Sequence, residues 1–149
     1  LKAAGVTYCT SAMGADHTAG LVVDPGQAPE EFARSSQESQ ILNAAVDASG
    51  FCQFLMPNIE EIGEFYSSFL GEEVTRESIA DMGWQCMQDE WEYNRRAGFG
   101  PEDDKMAPCM SEDAIGGETL FVWDVPDEIV AAAYERFEPR DELFTARPS

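Results

Sequence analysis

The sequence predicts a mainly α-helical protein, and three observations carry that expectation. Segments beginning near Glu30, Ile59 and Thr75 each repeat apolar residues at spacings of three and four. Asn58 and Thr75 stand as caps at the starts of the second and third, and Gly50, Gly71 and Gly98 stand where each would stop. No internal repeat or low-complexity tract suggests a solenoid.

Taken in order, the stretch from Cys9 to Gln27 holds Gly14, Gly20, Pro25 and Gly26 and reads as a loop with short extended pieces. From Glu30, Phe32, Ile41, Leu42, Ala45 and Val46 mark a helix that Gly50 ends, leaving Cys52 just past its C-terminus. Asn58 caps a second helix, 59–70, whose stripe runs through Ile59, Ile62, Phe65, Tyr66, Phe69 and Leu70 to Gly71. Thr75 caps a third, 76–97, stopped by Gly98, with Glu77, Asp81, Gln88, Glu92 and Arg95 on the polar side. Residues 98–117 look like a loop, Thr119–Trp123 like a short strand, and Asp127 after Pro126 starts a helix over 127–137 that Pro139 limits. The tail after Arg140 is expected to fray. The expected core is Ile41, Val46, Ile62, Phe69, Ile79, Met82 and Met87.

The 149 residues suffice for one ordinary domain that buries roughly 70% of its unfolded surface. The chain starts at Leu1 without a Met, which reads as a cut through a longer protein or as a processed terminus. No apolar run reaches the roughly 18 residues of a membrane span, and no secretory signal is visible. Cys9, Cys52, Cys86 and Cys109 form no C-x-x-C pair; reduced cysteines in a cytoplasmic protein are the expectation. With 29 acidic residues against 9 basic ones, the net charge of −20 repels nucleic acid and anionic membranes alike. A lysine-poor acidic surface also suits concentrated salt, which screens self-repulsion.

P-loop, H-E-x-x-H, G-x-S-x-G, EF-hand and complete G-x-G-x-x-G signatures are all missing from the sequence. Two constellations remain. Gly14-Ala15-Asp16-His17-Thr18-Ala19-Gly20 contains the single histidine, a residue type that moves protons near neutrality, flanked by glycines that let backbone approach a ligand. From composition alone, a loop histidine bonded to Asp16 or a carbonyl is the favoured reading. Asp47-Ala48-Ser49-Gly50-Phe51-Cys52 puts a carboxylate about one turn before a thiol, a pair suited to an amine-bearing ligand and to soft metal or an iron-sulfur cluster. Read by itself, Cys52 is better taken as a small buried hydrophobe, since a single cysteine specifies nothing.

The order G-A-D-H-T-A-G, a helix ending in D-x-x-G-F-C, then Trp84-Gln85-Cys86-Met87 and Glu90 to Phe99 resembles the C-terminal region of aldehyde:ferredoxin oxidoreductases over about residues 5 to 108. The resemblance implies a mainly α fold, the helical C-terminal domain of such an enzyme. It divides the chain into an active-site loop region (1–28), a helical domain contacting cofactor and cluster (29–110), and an acidic C-terminal helix and tail (111–149). It further implies a tungsten or molybdenum bis-pterin cofactor and a [4Fe-4S] cluster. Asp47 would bind the pterin amine, Phe51 would present backbone to the pterin, Cys52 would supply one of four cluster ligands, and His17 would be catalytic beside the metal. Glu90 to Phe99 matches a structural signature.

The implied reaction oxidises small aldehydes to carboxylic acids and sends electrons through the cluster to ferredoxin. Its C-x-x-C-x-x-x-C ligands and second pterin motif are not in this sequence and would belong to N-terminal domains of the same protein, without which the chain would be inactive and bind neither metal nor cluster. Two other readings stay open: a free-standing acidic helical module that binds a partner, and a relative acting on a non-aldehyde substrate.

Overall fold

The computed structural model describes residues 2–23, 27–114, 116 and 121–148. Among them the protein is helical: α1 (Lys2–Thr10), α2 (Phe32–Ala48), α3 (Ile59–Leu70), α4 (Arg76–Ala97), α5 (Cys109–Glu112), α6 (Asp127–Ala132) and α7 (Asp141–Thr145). The mainly α expectation holds, with α2 at the centre packed most extensively on α4 and then on α1.

Local chemistry sets the best-defined ends. Asn58 Oδ1 accepts the Glu61 N–H at 2.8 Å while Glu61 Oε2 accepts the Asn58 N–H at 2.9 Å, so two otherwise unpaired donors at the start of α3 are satisfied reciprocally. Thr75 caps α4 by accepting from the Ser78 N–H at 3.1 Å. Gly71 and Gly98 close α3 and α4 in the left-handed conformation.

The main core gathers Ile41, Ala45 and Val46 of α2, Ile59 and Ile62 of α3, and Ile79, Trp84, Met87 and Trp91 of α4. A second cluster forms where Val6 and Cys9 of α1 and Phe32 of α2 meet Val125, Val130 and Ala133. Polar groups between α1 and α2 are paired internally: Thr7 Oγ1 lies 2.8 Å from Ser36 Oγ, and Gln40 Nε2 donates to Thr10 Oγ1 at 2.9 Å.

Several expectations are corrected. Phe69 is 74% exposed, because α3 buries only its first half, through Ile59, Ile62 and Gly63. Met82 is half-buried against the core. Cys9 and Thr10 belong to a helix, not to the expected loop. The last expected helix stops at Ala132 instead of 137, with Pro126 rather than Asp127 at the cap position. The cause is Gln37 of α2, whose Nε2 donates to Ala133 O and Glu135 O at 2.9 Å each and whose Oε1 accepts the Phe137 N–H at 2.9 Å. Those are the backbone groups another helical turn would need.

The tail is not frayed: Leu143 and Phe144 of α7 are buried in the main core. Arg140, paired with Glu38 and Glu31, anchors its start. The expected strand falls partly on Thr119 and Leu120, outside the described residues; Val122 and Trp123 are irregular. Among the described residues, no helix is long and apolar enough to cross a membrane.

Candidate functional site

The end of α2 forms the site's base. Gly50 N–H donates to Asp47 O at 3.0 Å and Phe51 N–H to Val46 O at 3.3 Å, a double closure that requires a left-handed residue between them. Gly50, at φ 74°, supplies it. α3 holds the turn from outside, with the Phe51 ring edge-on to Phe65 at 5.1 Å between centroids and the Tyr66 hydroxyl donating to Ser49 O at 3.2 Å. Cys52 follows on extended backbone, exposed and free, and its carbonyl accepts the Leu55 N–H at 2.9 Å to start a 3₁₀ turn, Gln53–Leu55.

The glycine-rich segment is held against the same helix. Gly20 lies so close to α2 that a Cβ there would sit 2.9 Å from Ser39 Oγ and 3.0 Å from the Gln40 nitrogen. Asp16 caps the 3₁₀ turn His17–Ala19, taking the Thr18 N–H and the Thr18 hydroxyl at 2.8 Å each. These two bonds, the backbone one first, hold its carboxyl below the usual range. His17 is exposed on this turn. From α4, Trp91 Nε1 donates to Thr10 O at 2.7 Å and Asn94 Nδ2 to Ala12 O at 2.8 Å, satisfying carbonyls left open where α1 ends.

Between the segment and the two helices lies a cleft of about 250 Å³, walled by Met13, Gln40, Asp47, Cys86, Glu90 and Trp91 among others. Asp47 is open to solvent on one side, yet partial burial, and secondarily the charge of Asp16, raise its carboxyl above the ordinary value. Burial and then Asp47 do the same to Glu90. Burial, Glu90 and Asp89 raise the Cys86 thiol. The two carboxylates facing the cleft, Asp47 and Glu90, are hydrogen-bond acceptors, a wall suited to an amine-bearing ligand that offers N–H donors.

Of the residues singled out in the sequence, Asp47 faces the cleft; His17, Phe51 and Cys52 are not among its walls. The turns bearing His17 and Cys52 are nevertheless joined by one side chain, since Gln53 Nε2 donates to Thr18 O at 2.8 Å and to Asn43 Oδ1 at 2.7 Å. Gln53, Gln40 and the cleft-facing role of Glu90 escaped the sequence reading; only the position of Gln53 beside Cys52 could have drawn attention to it. Among the described residues, no group of three His, Cys, Asp or Glu side chains is placed to hold a metal ion. Cys52 is an exposed free thiol with no such group of ligands around it among the described residues.

Searches of curated proteins and of solved structures return no match. A family profile described as "Aldehyde ferredoxin oxidoreductase, domains 2 & 3" matches residues 1–137. Nearly the whole chain, including every element of the site just described, lies within that match, and the protein belongs to the aldehyde ferredoxin oxidoreductase family.

Proposed function

We propose that the chain forms one wall of the active site of a tungsten- or molybdenum-pterin oxidoreductase that oxidises small aldehydes to carboxylic acids. One water is consumed, and two electrons and three protons leave for each aldehyde converted to a carboxylate; the electrons pass through a [4Fe-4S] cluster to ferredoxin. What supports the reading, beside family membership, is the closed end of α2, which offers the Asp47 carboxylate to a cleft and the free Cys52 thiol to the surface from one rigid turn.

The metal-pterin group supplies the two-electron chemistry when bound, and the cluster the exit for single electrons. The protein residues bind, orient and move protons. Asp47 accepts hydrogen bonds from the pterin amine, with Glu90 across the cleft as a second acceptor. Phe51 has already donated its N–H to Val46, which leaves its carbonyl as the group it can present to the pterin. Cys52 would ligate one iron of the cluster. His17, exposed on a turn held by Asp16 and Thr18, hydrogen-bonds the substrate carbonyl and carries a proton away at its imidazole.

Around Cys52, Phe54 is 96%, Leu55 66% and Met56 41% exposed, and Phe65 and Phe69 of the neighbouring helix are exposed as well. An apolar surface of this kind suits contact with the domain that carries the other three thiolates, where it would exclude water from the cluster.

Metal and iron analysis of variants in the complete, cofactor-loaded protein tests the assignment. Asp47→Ala leaves a pterin donor unpaired, at about 1–3 kcal/mol, so tungsten or molybdenum content falls several-fold or more while iron holds. Cys52→Ala lowers iron and the cluster's absorption first. Wild-type iron, metal and turnover in both variants would remove the assignment.

A further inference from the structure

The geometry points to Gln53 as a positioning residue that holds the His17 turn in fixed relation to Cys52. It lies next to Cys52 in the chain, and Thr18, whose carbonyl it grips, lies next to His17. The same Nε2 donates to Asn43 Oδ1, and Asn43, 3% exposed, is itself locked by donation from its Nδ2 to Ser39 O at 2.8 Å. One amide nitrogen thus uses both of its hydrogens, one on each of two segments, against a side chain fixed in the central helix.

Around the His17 turn, other restraints act within the turn itself, and both α2 and α1 pack against it. Asp16 caps it internally, and Gly20 packs on Ser39 and Gln40. Among the hydrogen bonds of the described residues, that of Gln53 reaches it from the segment that bears Cys52. The consequence for an oxidoreductase rests on the roles proposed above for His17 and Cys52: proton departure at the imidazole and electron departure at the thiolate would be held in register by one side chain that touches neither reacting group.

The 149-residue chain and its Gln53→Glu and Gln53→Lys variants test this, each carrying a nitroxide on Cys52 in a Cys109→Ser background; Cys9 is buried and Cys86 half-buried. The single histidine gives one imidazole signal, so its paramagnetic broadening reports the separation of residues 17 and 52 directly. Gln53→Glu keeps the shape but removes the donor and sets a negative oxygen against two acceptors. The expected result is altered and heterogeneous broadening at His17, with exchange at the Thr18 amide faster by about tenfold and a melting temperature lower by only a few degrees. Gln53→Lys restores a donor and should return both readings most of the way.

Unchanged broadening and exchange in Gln53→Glu would overturn the proposal, as would equal loss in Gln53→Lys and Gln53→Glu, which would mark a packing role. If Gln53→Glu does not fold, the unsubstituted chain decides: nuclear Overhauser contacts from the Gln53 side-chain amide protons to both Asn43 and Ala19 support the link, and their absence refutes it. Failure of the underlying functional reading would show separately, as wild-type turnover in His17→Ala and Cys52→Ala of the complete protein.

Discussion

Gly83→Ala should open the centre of the protein. Gly83 sits where α4 crosses α2, and a Cβ there would stand 2.4 Å from the Ile41 carbonyl oxygen and 3.2 Å from both the Ala45 nitrogen and Cβ. A carbon–oxygen contact relaxes at about 3.3 Å, so the helices would have to part by roughly 0.9 Å. The atom in the way is backbone, held in the hydrogen-bond ladder of α2, and cannot rotate aside.

Alanine improves helix propensity by about 1 kcal/mol over glycine, whereas overpacking a tight core costs about 1–3 kcal/mol. A clash with backbone belongs at the upper end, leaving a net loss of about 2 kcal/mol, or a melting temperature lower by about 4–8 °C for a chain of this size. Thermal unfolding followed by far-ultraviolet circular dichroism measures it, with Ser68→Ala on the exposed side of α3 as a control expected to change little. A Gly83→Ala protein as stable as the parent would refute the close crossing, and with it the shape of the cleft between Asp47 and Glu90.

Three further outcomes are expected. Carboxyls raised in the folded state bind more protons than in the unfolded chain, so they oppose folding as pH rises through the folded value; Asp47→Asn and Glu90→Gln should each raise the melting temperature at pH 7 and lose that advantage below the ordinary carboxylate range, as a pH series of melts would record. Burial, with Asp104 and Asp127, pushes the Cys9 thiol to about 11, so alkylation at pH 8 followed by mass spectrometry should find Cys52 and Cys109 modified first and Cys9 last. Stability should climb between 0.1 M and 1 M salt as the Debye length falls from about 10 Å to about 3 Å over 20 net negative charges, which melting curves across that range would check.

What the sequence made legible follows from how locally each feature is determined. α3 and α4 could be placed to the residue because their caps and apolar stripes are neighbours in the chain. α1 could not: its residues are buried on nearly every side, so it shows no amphipathic period. α7 is too short to display one, and its burial depends on docking Leu143 and Phe144 onto distant helices. The early stop of α6 is imposed by Gln37, about a hundred positions away.

The same division runs through the site. The helix end at Asp47–Cys52 could be read from its glycine. Trp91 and Asn94 reaching across to the end of α1, and Gln53 bridging two turns, are long-range bonds from side chains to backbone or to one another, and leave no periodic trace.

The double closure after Asp47 also decides how this segment tolerates insertion and deletion. A residue added between Asp47 and Gly50 would leave the aspartate in place on the packed helix and would turn the stop and Cys52 by about 100° and advance them about 1.5 Å, breaking the fixed relation between carboxylate and thiol. The count from aspartate to cysteine is therefore the arithmetic of a helix stop rather than the length of a loop. Chain length can drift only beyond the 3₁₀ turn, near Met56 and Pro57, before the Asn58 capping box begins a new helix.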